Sequence, residues 1–261
     1  MKLTLDLNCD LGEGFGVYQP VDDEALLAEV TSANVACGFH AGDPATMARV
    51  ARAAVRQGRA LGAHPGLPDL QGFGRREMKI SPAEAFDLVV YQVGAMQAVA
   101  RAAGTRLAHV KAHGALYNMA AKDPELALAI ARAVQAAGPD LMLYALSGSA
   151  MVGAARQLGL PVACEVFADR SYQADGTLTP RGRPGAMITD VEAAVAQVLG
   201  MLRDGTVRAV TGETVRIEAH TLCLHGDQPG ALVFAKALRA TLNTLGVELA
   251  APTVQSLENT A

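Results

Sequence analysis

The stretch LDLNCDLGEGFG, residues 5–16, runs from a strand-like segment directly into acidic residues and glycines. A glycine-rich turn after a strand can bind phosphate, but the dinucleotide motif needs the spacing G-x-G-x-x-G at the start of a helix. Here a single residue separates each glycine from the next, so the spacing does not fit. The carboxylates of Asp10 and Glu13 would also repel a phosphate group unless a metal ion lay between them. The stretch therefore predicts a β-strand that ends in an acidic corner.

Strand-like and helix-like segments alternate along the rest of the chain. The predicted strands are residues 2–8, 33–38, 60–63, 106–111, 140–145, 161–167 and 221–224. The predicted helices are residues 22–30, 44–57, 82–103, 124–136, 148–158, 191–204 and 230–245. Seven β-α units without a break in composition predict an α/β fold with a parallel sheet. Because the strands are short, we expect a closed (β/α) barrel as a single domain over residues 1–250, followed by a C-terminal tail over 251–261. An open, doubly wound sheet is the alternative.

The composition excludes several classes of protein. Of 261 residues, 51% are hydrophobic and the formal net charge is −4, so nothing favours nucleic acid or an anionic membrane surface as a partner. No apolar run approaches the about 20 residues that span a bilayer, and the N-terminus shows no signal-peptide pattern. We therefore expect a cytoplasmic protein. The four cysteines are scattered, which favours free buried thiols over disulfides or a zinc site.

Polar and charged residues collect near the carboxyl ends of the predicted strands, where parallel α/β folds bind their ligands. They are Asn8, Asp10, Glu13, Asn34, His40, Asp43, His64, Lys111, His113, Glu165, Asp169, Arg170, His225 and Asp227. Four of the six histidines are among them, each from a different strand and each near glycine or proline. One histidine at such a place is commonly structural, but several from different strands predict a shared site.

Two charged residues lie inside predicted strands. Lys111 and His113 are two residues apart, as are Asp6 and Asn8, so each pair faces the same way on a regular strand. A charge that points into a barrel is costly unless it is paired. We favour a functional role for Lys111. For Asp6, a buried ion pair, for example with Lys111, and a catalytic role both remain open.

Six runs of the chain together resemble the LamB/YcsF family. They are DLNCDLGEGFG, ANVACGFHAGDP, GAHPGLPDLQGFGRR, VKAHGALYN, EVFADRSYQADGTLTPRGRPGA and LCLHGDQPGA, and they span nearly the whole chain in order. The resemblance implies a seven-stranded parallel barrel of the glycoside hydrolase/deacetylase type. It also implies a 5-oxoprolinase, which opens 5-oxo-L-proline to L-glutamate with conversion of ATP to ADP and phosphate, and which needs two further subunits, B and C.

Opening a stable lactam with ATP requires cations for phosphate, a base for water and donors for the developing oxyanion. Our hypothesis makes Asp10 or Glu13 the base and His64 or His113 the acid, with Lys111 holding an anionic oxygen. The residues predicted to bind the substrate are Asn8, Asn34, His40, Asp43, Arg75, Glu165, Asp169, Arg170, Arg183, His225 and Asp227. Arg76 and Arg181 are further candidate cations.

The cofactors follow less directly from the sequence. No G-x-x-x-x-G-K-[ST] motif occurs, so the sequence leaves open whether ATP binds on this chain or on a partner. Magnesium is expected to arrive with the nucleotide and to need few protein ligands. Asp10 with His40 or His64 offers suitable ligand types for a permanent divalent ion, which also stays open. The long segment at residues 172–186 is expected to form a lid or a partner-docking loop, with a rigid surface loop as the alternative.

Two other functions remain as alternatives. One is a metal-dependent hydrolase resembling the carbohydrate deacetylases. Aromatic residues make up only 4% of the chain and tryptophan is absent, so side chains that stack on sugars are scarce. The other is a non-catalytic subunit that presents the substrate to its partners; the dense charge at the strand ends argues against a pure scaffold.

Overall fold

The computed structural model describes residues 3–18, 21–180, 182–224 and 230–258. Its strands are β1 (Thr4–Leu11), β2 (Ser32–Ala36), β3 (Ala60–His64), β4 (His109–Lys111), β5 (Met142–Leu146), β6 (Val162–Phe167), β7 (Thr206–Arg208), β8 (Thr214–Arg216), β9 (Thr221–Leu224) and β10 (Glu248–Leu249). Its helices are α1 (Asp23–Leu27), α2 (Pro44–Arg56), α3 (Pro82–Ala102), α4 (Gly114–Ala120), α5 (Pro124–Ala137), α6 (Ala150–Leu158), α7 (Val191–Asp204), α8 (Ala231–Thr244) and α9 (Val254–Glu258).

Seven parallel strands form a closed barrel in the order β1-β2-β3-β4-β5-β6-β9, and β9 pairs back onto β1. At the closure Asn8 lies beside Cys223, and on the other edge of β1 Asp10 lies beside Asn34. Closure gives every one of these seven strands a neighbour on both sides, so the barrel has no edge strand. The predicted seven-stranded parallel barrel is confirmed, and the open sheet is wrong.

Several helices begin where the sequence supplies a capping residue followed by proline. Asp43 accepts hydrogen bonds from the first backbone N–H groups of α2, and Asp123 does the same for α5. Ser81 and Glu84 form a reciprocal capping box at the start of α3. Proline at the first helical position loses no hydrogen bond, because that N–H has no partner within the helix. These caps fix the points at which the three helices begin.

The alternation in β1 separates the apolar core from the polar interior. Leu5, Leu7 and Leu11 belong to the hydrophobic cluster between the sheet and the surrounding helices. Successive side chains of a strand point to opposite faces, so Asp6 and Asn8 point into the barrel. Both are buried, and both hydrogen-bond to side chains of other strands. The first predicted strand thus supplies both the core packing and the floor of a polar site.

The structure contains elements that the periodicity did not predict. Helix α4 begins directly after His113, and the antiparallel pair β7–β8 consists of two three-residue strands. Strand β10 pairs with β1 ahead of the point where β9 joins it. Within the C-terminal tail, Leu257 of α9 packs against Met142 and Tyr144 near the start of β5. No helix within the described ranges has the length and apolar character that crossing a membrane requires.

Candidate active site

A cavity of about 440 Å³ opens at the carboxyl ends of the barrel strands. Asp10, His64, Lys111 and His113 form its floor, from strands β1, β3 and β4 and the residues just after them. A larger cavity of about 640 Å³ lies beside the opposite end of β5, but the arginines that line it, Arg101 and Arg106, are exposed. Of these two cavities, the first is the one on which buried titratable groups converge, so we take it as the candidate site.

Lys111 lies at the centre of the barrel and is surrounded by acceptors. Its Nζ atom is 2.9 Å from Glu165 Oε1, 3.0 Å from Asp10 Oδ1 and 3.2 Å from Asn8 Oδ1. The Cys223 thiol sulfur is a further neighbour at 3.0 Å. Burial alone would lower the pKa of Lys111, but Asp10, Cys223 and Glu165 outweigh it and raise the pKa well above its usual value. An ammonium group has three protons, and here they face protein acceptors. The contacts favour a role in holding Asp10 ionised and fixing the position of Glu165 over the predicted direct grip on a substrate oxygen.

Asn8 and Asn34 link the carboxylates into one network. The Asn34 Nδ2 group donates to Asn8 Oδ1 at 2.7 Å and to Asp10 Oδ1 at 2.8 Å. The Asn8 Nδ2 group donates to Glu165 Oε1 at 3.0 Å and to Thr221 Oγ1 at 2.7 Å. Both amides are fully buried, so they orient the carboxylates from below. A direct contact of Asn8 and Asn34 with the substrate stays a prediction.

Three histidines and Glu13 form a compact cluster beside Asp10. Glu13 Oε1 lies 3.2 Å from His40 Nε2 and 3.3 Å from His113 Nδ1. His64 Nε2 lies 2.9 Å from His113 Nδ1 and 3.2 Å from Asp10 Oδ2. The rings of His40 and His113 stack with their centroids 3.6 Å apart. The structure therefore brings together five of the residues that the sequence placed at four different strand ends.

Neighbouring groups keep the carboxylates of Asp10 and Glu13 ionised. Burial alone would raise the pKa of Asp10, but the charges of His64 and Lys111 outweigh burial and hold it well below its usual range. Burial opposes ionisation of Glu13 as well, yet its contacts with His113 and His40 lower its pKa to about 2. Burial is the main cause of the pKa of about 3 at His40, and it keeps that ring neutral. The site thus offers two anionic groups beside the neutral ring of His40 near pH 7.

Asp6 does not pair with Lys111, and that suggestion from the sequence is wrong. Its carboxylate accepts hydrogen bonds from Ser32 Oγ at 2.7 Å and from the hydroxyls of Thr31 and Thr221, both at 2.5 Å. Burial raises its pKa despite these hydroxyl donors. Strand geometry explains the difference, because Asp6 lies four residues before Asp10 on the same face of β1, nearer the opposite end of the barrel. Asp6 is a structural group beneath the site.

The remaining predicted residues occupy more peripheral positions. Asp43 caps α2, and its Oδ2 atom accepts from Gly16 N at 2.9 Å, which ties down the glycine-rich turn. Arg170 is buried, donates to Thr179 O at 2.6 Å and lines the cavity. Arg75 is exposed at the cavity rim and lies over the Phe73 ring.

Other candidates lie away from the floor or outside the described residues. Arg183 is exposed, Asp169 is half-buried, and Arg76 pairs with Asp69. The predicted residues Arg181, His225 and Asp227 lie outside the described residues.

The loop at residues 172–186 forms part of the cavity wall. Thr177, Leu178 and Pro180 line the cavity, and Tyr172 bridges to Leu178 within the loop. The Tyr172 hydroxyl oxygen also accepts a hydrogen bond from Phe167 N, at the end of β6, at 2.9 Å. This position fits the expected cover over the site, and its role as a lid or docking loop stays a prediction.

Sequence reasoning did not single out three residues of the site. Tyr117 donates to Glu165 Oε2 at 2.6 Å, and His109 contacts Asn34 Oδ1 through Nε2 at 2.7 Å. The Phe73 carbonyl oxygen lies 2.8 Å from His113 Nε2. The two-residue spacing of His109 and Lys111 was a signal that they share a face. No sequence signal pointed to Phe73, because its positive φ of 54° depends on the conformation of the surrounding loop.

Two groups of side chains in the described part of the chain have the ligand types and spacing for a metal ion. Glu13, His40, His64 and His113 form the first. Cys164, Glu218 and His220 form the second, away from the cavity. In that second group His220 Nδ1 already accepts from the Cys164 backbone N–H, at 3.0 Å, and Glu218 pairs with an arginine. Of the two groups, the first is the one at the cavity.

Comparison with known proteins agrees with the six sequence runs. Residues 5–257 match the LamB/YcsF family. A Bordetella parapertussis protein that carries the name of the 5-oxoprolinase A subunit is 61% identical over 251 residues, which cover 96% of this chain and 100% of that protein. A protein of the same name from Tolumonas auensis is 58% identical over 247 residues, covering 95% of this chain and 98% of that protein.

A solved structure extends the agreement to the fold. The crystal structure of a lactam utilization protein from Thermus thermophilus superposes with a TM-score of 0.91 at 46% identity, covering 96% of this chain and 100% of that one. The match in sequence and in barrel geometry extends over nearly the whole length of both chains. This chain belongs to the LamB/YcsF family.

Proposed function

We propose that this chain is the A subunit of a 5-oxoprolinase and that it opens the lactam ring of 5-oxo-L-proline to give L-glutamate. It acts in the cytoplasm with subunits B and C, and the reaction converts ATP to ADP and phosphate. The relatives named as the A subunit of 5-oxoprolinase, at 61% and 58% identity, support this substrate. Among structural observations, the proposal depends most on one contact: the ionised Asp10 carboxylate, 3.2 Å from His64 on the cavity floor.

The chemistry needs activation, because a five-membered lactam is a stable amide. Transfer of the terminal phosphoryl group of ATP to the lactam oxygen releases ADP and makes the ring carbon electrophilic. Water adds to that carbon, the carbon–nitrogen bond breaks to free the amine, and an acyl phosphate remains. A second water molecule then releases phosphate and leaves L-glutamate. ATP and the Mg²⁺ ion that accompanies it are therefore part of the proposal.

Asp10 is the residue best placed to take a proton from water. Its Oδ1 atom is fixed by Lys111 and Asn34, at 3.0 and 2.8 Å, while Oδ2 faces His64 and the cavity. A general base must be ionised and within reach of the proton it removes. His64 and Lys111 supply the first condition, because their charges hold the pKa of Asp10 well below its usual range, and the position of Asp10 on the cavity floor supplies the second. Arg75, at the rim, is our candidate for binding the carboxylate of 5-oxoproline.

Reconstitution tests the proposal directly. The chain is mixed with subunits B and C, and glutamate and ADP are measured with 5-oxoproline and ATP present. We expect release of both products in the complete mixture and none when this chain is left out. Absence of glutamate from the complete mixture would contradict the proposed activity.

The same assay separates catalysis from substrate presentation. In the Asp10→Asn variant an amide replaces the proposed base with little change in shape. If the chain only presented the substrate, turnover of the complex would be unchanged in this variant. A loss of turnover with unchanged assembly supports a catalytic role for this chain.

A further inference from the structure

The hydrogen bonds of His64 and His113 fix which ring nitrogens carry protons. His64 Nδ1 lies 2.7 Å from the carbonyl oxygen of Lys111, and His113 Nε2 lies 2.8 Å from that of Phe73. A carbonyl oxygen only accepts, so both of these nitrogens must donate. In the neutral rings His64 Nε2 and His113 Nδ1 therefore carry lone pairs, and these two atoms are 2.9 Å apart.

Carboxylate oxygens surround the same point. Glu13 Oε1 lies 3.3 Å from His113 Nδ1 and 3.9 Å from His64 Nε2, and Asp10 Oδ2 lies 3.2 Å from His64 Nε2. Two lone pairs and two anionic oxygens thus converge. Such atoms repel one another unless a positive species lies between them. A proton on His64 Nε2 satisfies the contact with Asp10 and leaves the lone pair of His113 Nδ1 facing Glu13 Oε1 at 3.3 Å.

The distances match those of ligands around one metal ion. Ligand atoms at about 2.0–2.1 Å from a tetrahedral metal lie about 3.3 Å from one another. The distances between His64, His113 and Glu13 ligand atoms, 2.9, 3.3 and 3.9 Å, average close to this value. Imidazole nitrogens with a carboxylate favour a divalent ion of the series from Mn²⁺ to Zn²⁺.

The hydrogen-bond partners of the two histidines are of the kind that orients metal-binding histidines in proteins. Metal-ligating histidines usually donate the other ring N–H to a carbonyl or carboxylate, which fixes the ring. Lys111 O and Phe73 O accept these hydrogen bonds here, from His64 Nδ1 and His113 Nε2. Phe73 is the only non-glycine residue with positive φ in the described ranges, and this strained backbone belongs to the residue whose carbonyl holds His113. His40 contacts Glu13 Oε1 from the far side, at 3.2 Å, and orients it.

We propose that Glu13 Oε1, His64 Nε2 and His113 Nδ1 bind one divalent transition-metal ion on the floor of the cavity, with Asp10 Oδ2 next to the remaining position. The use of this ion in lactam opening rests on the proposed function, whereas the binding site rests on the geometry alone. As ligands, His64 and His113 are unavailable as the general acid that the sequence suggested. Asp10, held by Lys111, remains the base.

Metal binding is tested on the full chain without its partners. The purified chain is treated with a chelator, dialysed and titrated with Co²⁺, and the visible absorption of cobalt bound by nitrogen and oxygen ligands is recorded. Zn²⁺ content after equilibration and gel filtration is measured by mass spectrometry. We expect saturation at one ion per chain and a higher melting temperature with metal.

Substitutions by glutamine test whether the bound cobalt is held by the proposed ligands. Glu13→Gln and His113→Gln should each weaken Co²⁺ binding at least tenfold. His220→Gln, which changes a histidine away from the cavity, should bind as the wild type does. Circular dichroism of each variant without metal shows whether it folds, and only folded variants are compared.

Two results would overturn the inference: no stoichiometric binding of Co²⁺ or Zn²⁺ by the folded chain, or binding that both ligand variants leave unchanged. The outcome is separate from that of the proposed function. A chain that binds no metal but releases glutamate with subunits B and C would refute only the metal site. A chain that binds metal but gives no 5-oxoproline-dependent product would refute only the activity.

Discussion

Lys111 and Glu165 form an ion pair inside the barrel, with 2.9 Å between Nζ and Oε1 and at most 4% of either side chain exposed. Asp10 shares the same ammonium group at 3.0 Å. One buried cation therefore balances the fully buried carboxylate of Glu165 and the partly exposed carboxylate of Asp10. Removing one partner of such a group leaves an uncompensated charge, which is far more costly than the pair itself is stabilising.

The Lys111→Met variant should lose about 3–5 kcal/mol of unfolding free energy, because two carboxylates then share a buried space without a cation. Glu165→Gln should cost less, since Lys111 keeps Asp10 and the new amide still accepts from Asn8. Urea unfolding at pH 7.5 measures both. Combining Lys111→Met with Glu165→Gln should recover part of the loss. Strictly additive losses would show that the two residues are not coupled.

The Asp10→Asn variant should lower turnover of the reconstituted complex by about 10²–10⁴-fold, the usual contribution of a general base. The fold should survive, because the amide oxygen can still accept from Lys111 and Asn34. The measurement is the rate of glutamate release at saturating 5-oxoproline and ATP, with assembly of the complex checked by gel filtration. Asp123→Asn is a suitable control, since Asp123 is a helix cap at the start of α5 and is not among the residues of the site. An equal loss in both variants would contradict a specific role for Asp10.

The sequence predicted the strands and helices of the barrel because the signals for them lie within a few neighbouring residues. Alternation in β1 and the Asp-Pro and Ser-Pro helix starts each act within a few residues. Convergence of polar strand ends also followed, since all parallel strands end at the same rim. The partners of individual charges did not follow. Whether Lys111 meets Asp6 or Asp10 depends on the stagger between strands on opposite sides of the barrel, and no local pattern encodes it.

Space beside His109 is provided by Gly62 on the neighbouring strand. A Cβ atom at position 62 would overlap His109 Nε2, the atom that contacts Asn34. Gly62→Ala should therefore displace the ring, disturb the amide that holds Asp10, and cost about 1–3 kcal/mol of stability. Thermal unfolding with glutamate release from the complex measures both effects.

The matched control for this substitution is Gly153→Ala in α6, where a Cβ atom meets nothing within 4 Å. Alanine in place of glycine inside a helix should stabilise by up to about 1 kcal/mol. The two glycine-to-alanine changes should thus have opposite signs. A stabilising or neutral Gly62→Ala would show that the barrel interior relaxes around His109.

Burial of His109 makes the stability of the fold dependent on pH. Burial, followed by the charges of Lys111 and His64, lowers the pKa of His109 to about 3 from an ordinary value of 6.5, and the charge of Asp10 opposes this only partly. The ring is therefore neutral in the folded chain at pH values where the unfolded chain takes up a proton. Its contribution to stability is present above pH 6.5 and is lost as the pH falls from 6.5 toward 3.

His109→Gln removes this titration while keeping a side-chain N–H that can reach Asn34 Oδ1. Between pH 7.5 and pH 5 the wild type should lose about 2 kcal/mol more unfolding free energy than the variant, since one unmatched proton contributes about 1.4 kcal/mol per pH unit. Urea unfolding at the two pH values measures the difference. The comparison at pH 7.5, where the ring is neutral in both states, gives the pH-independent cost of the substitution. Equal losses of stability in the two proteins on acidification would mean that His109 takes up its proton in the folded barrel as readily as in the unfolded chain.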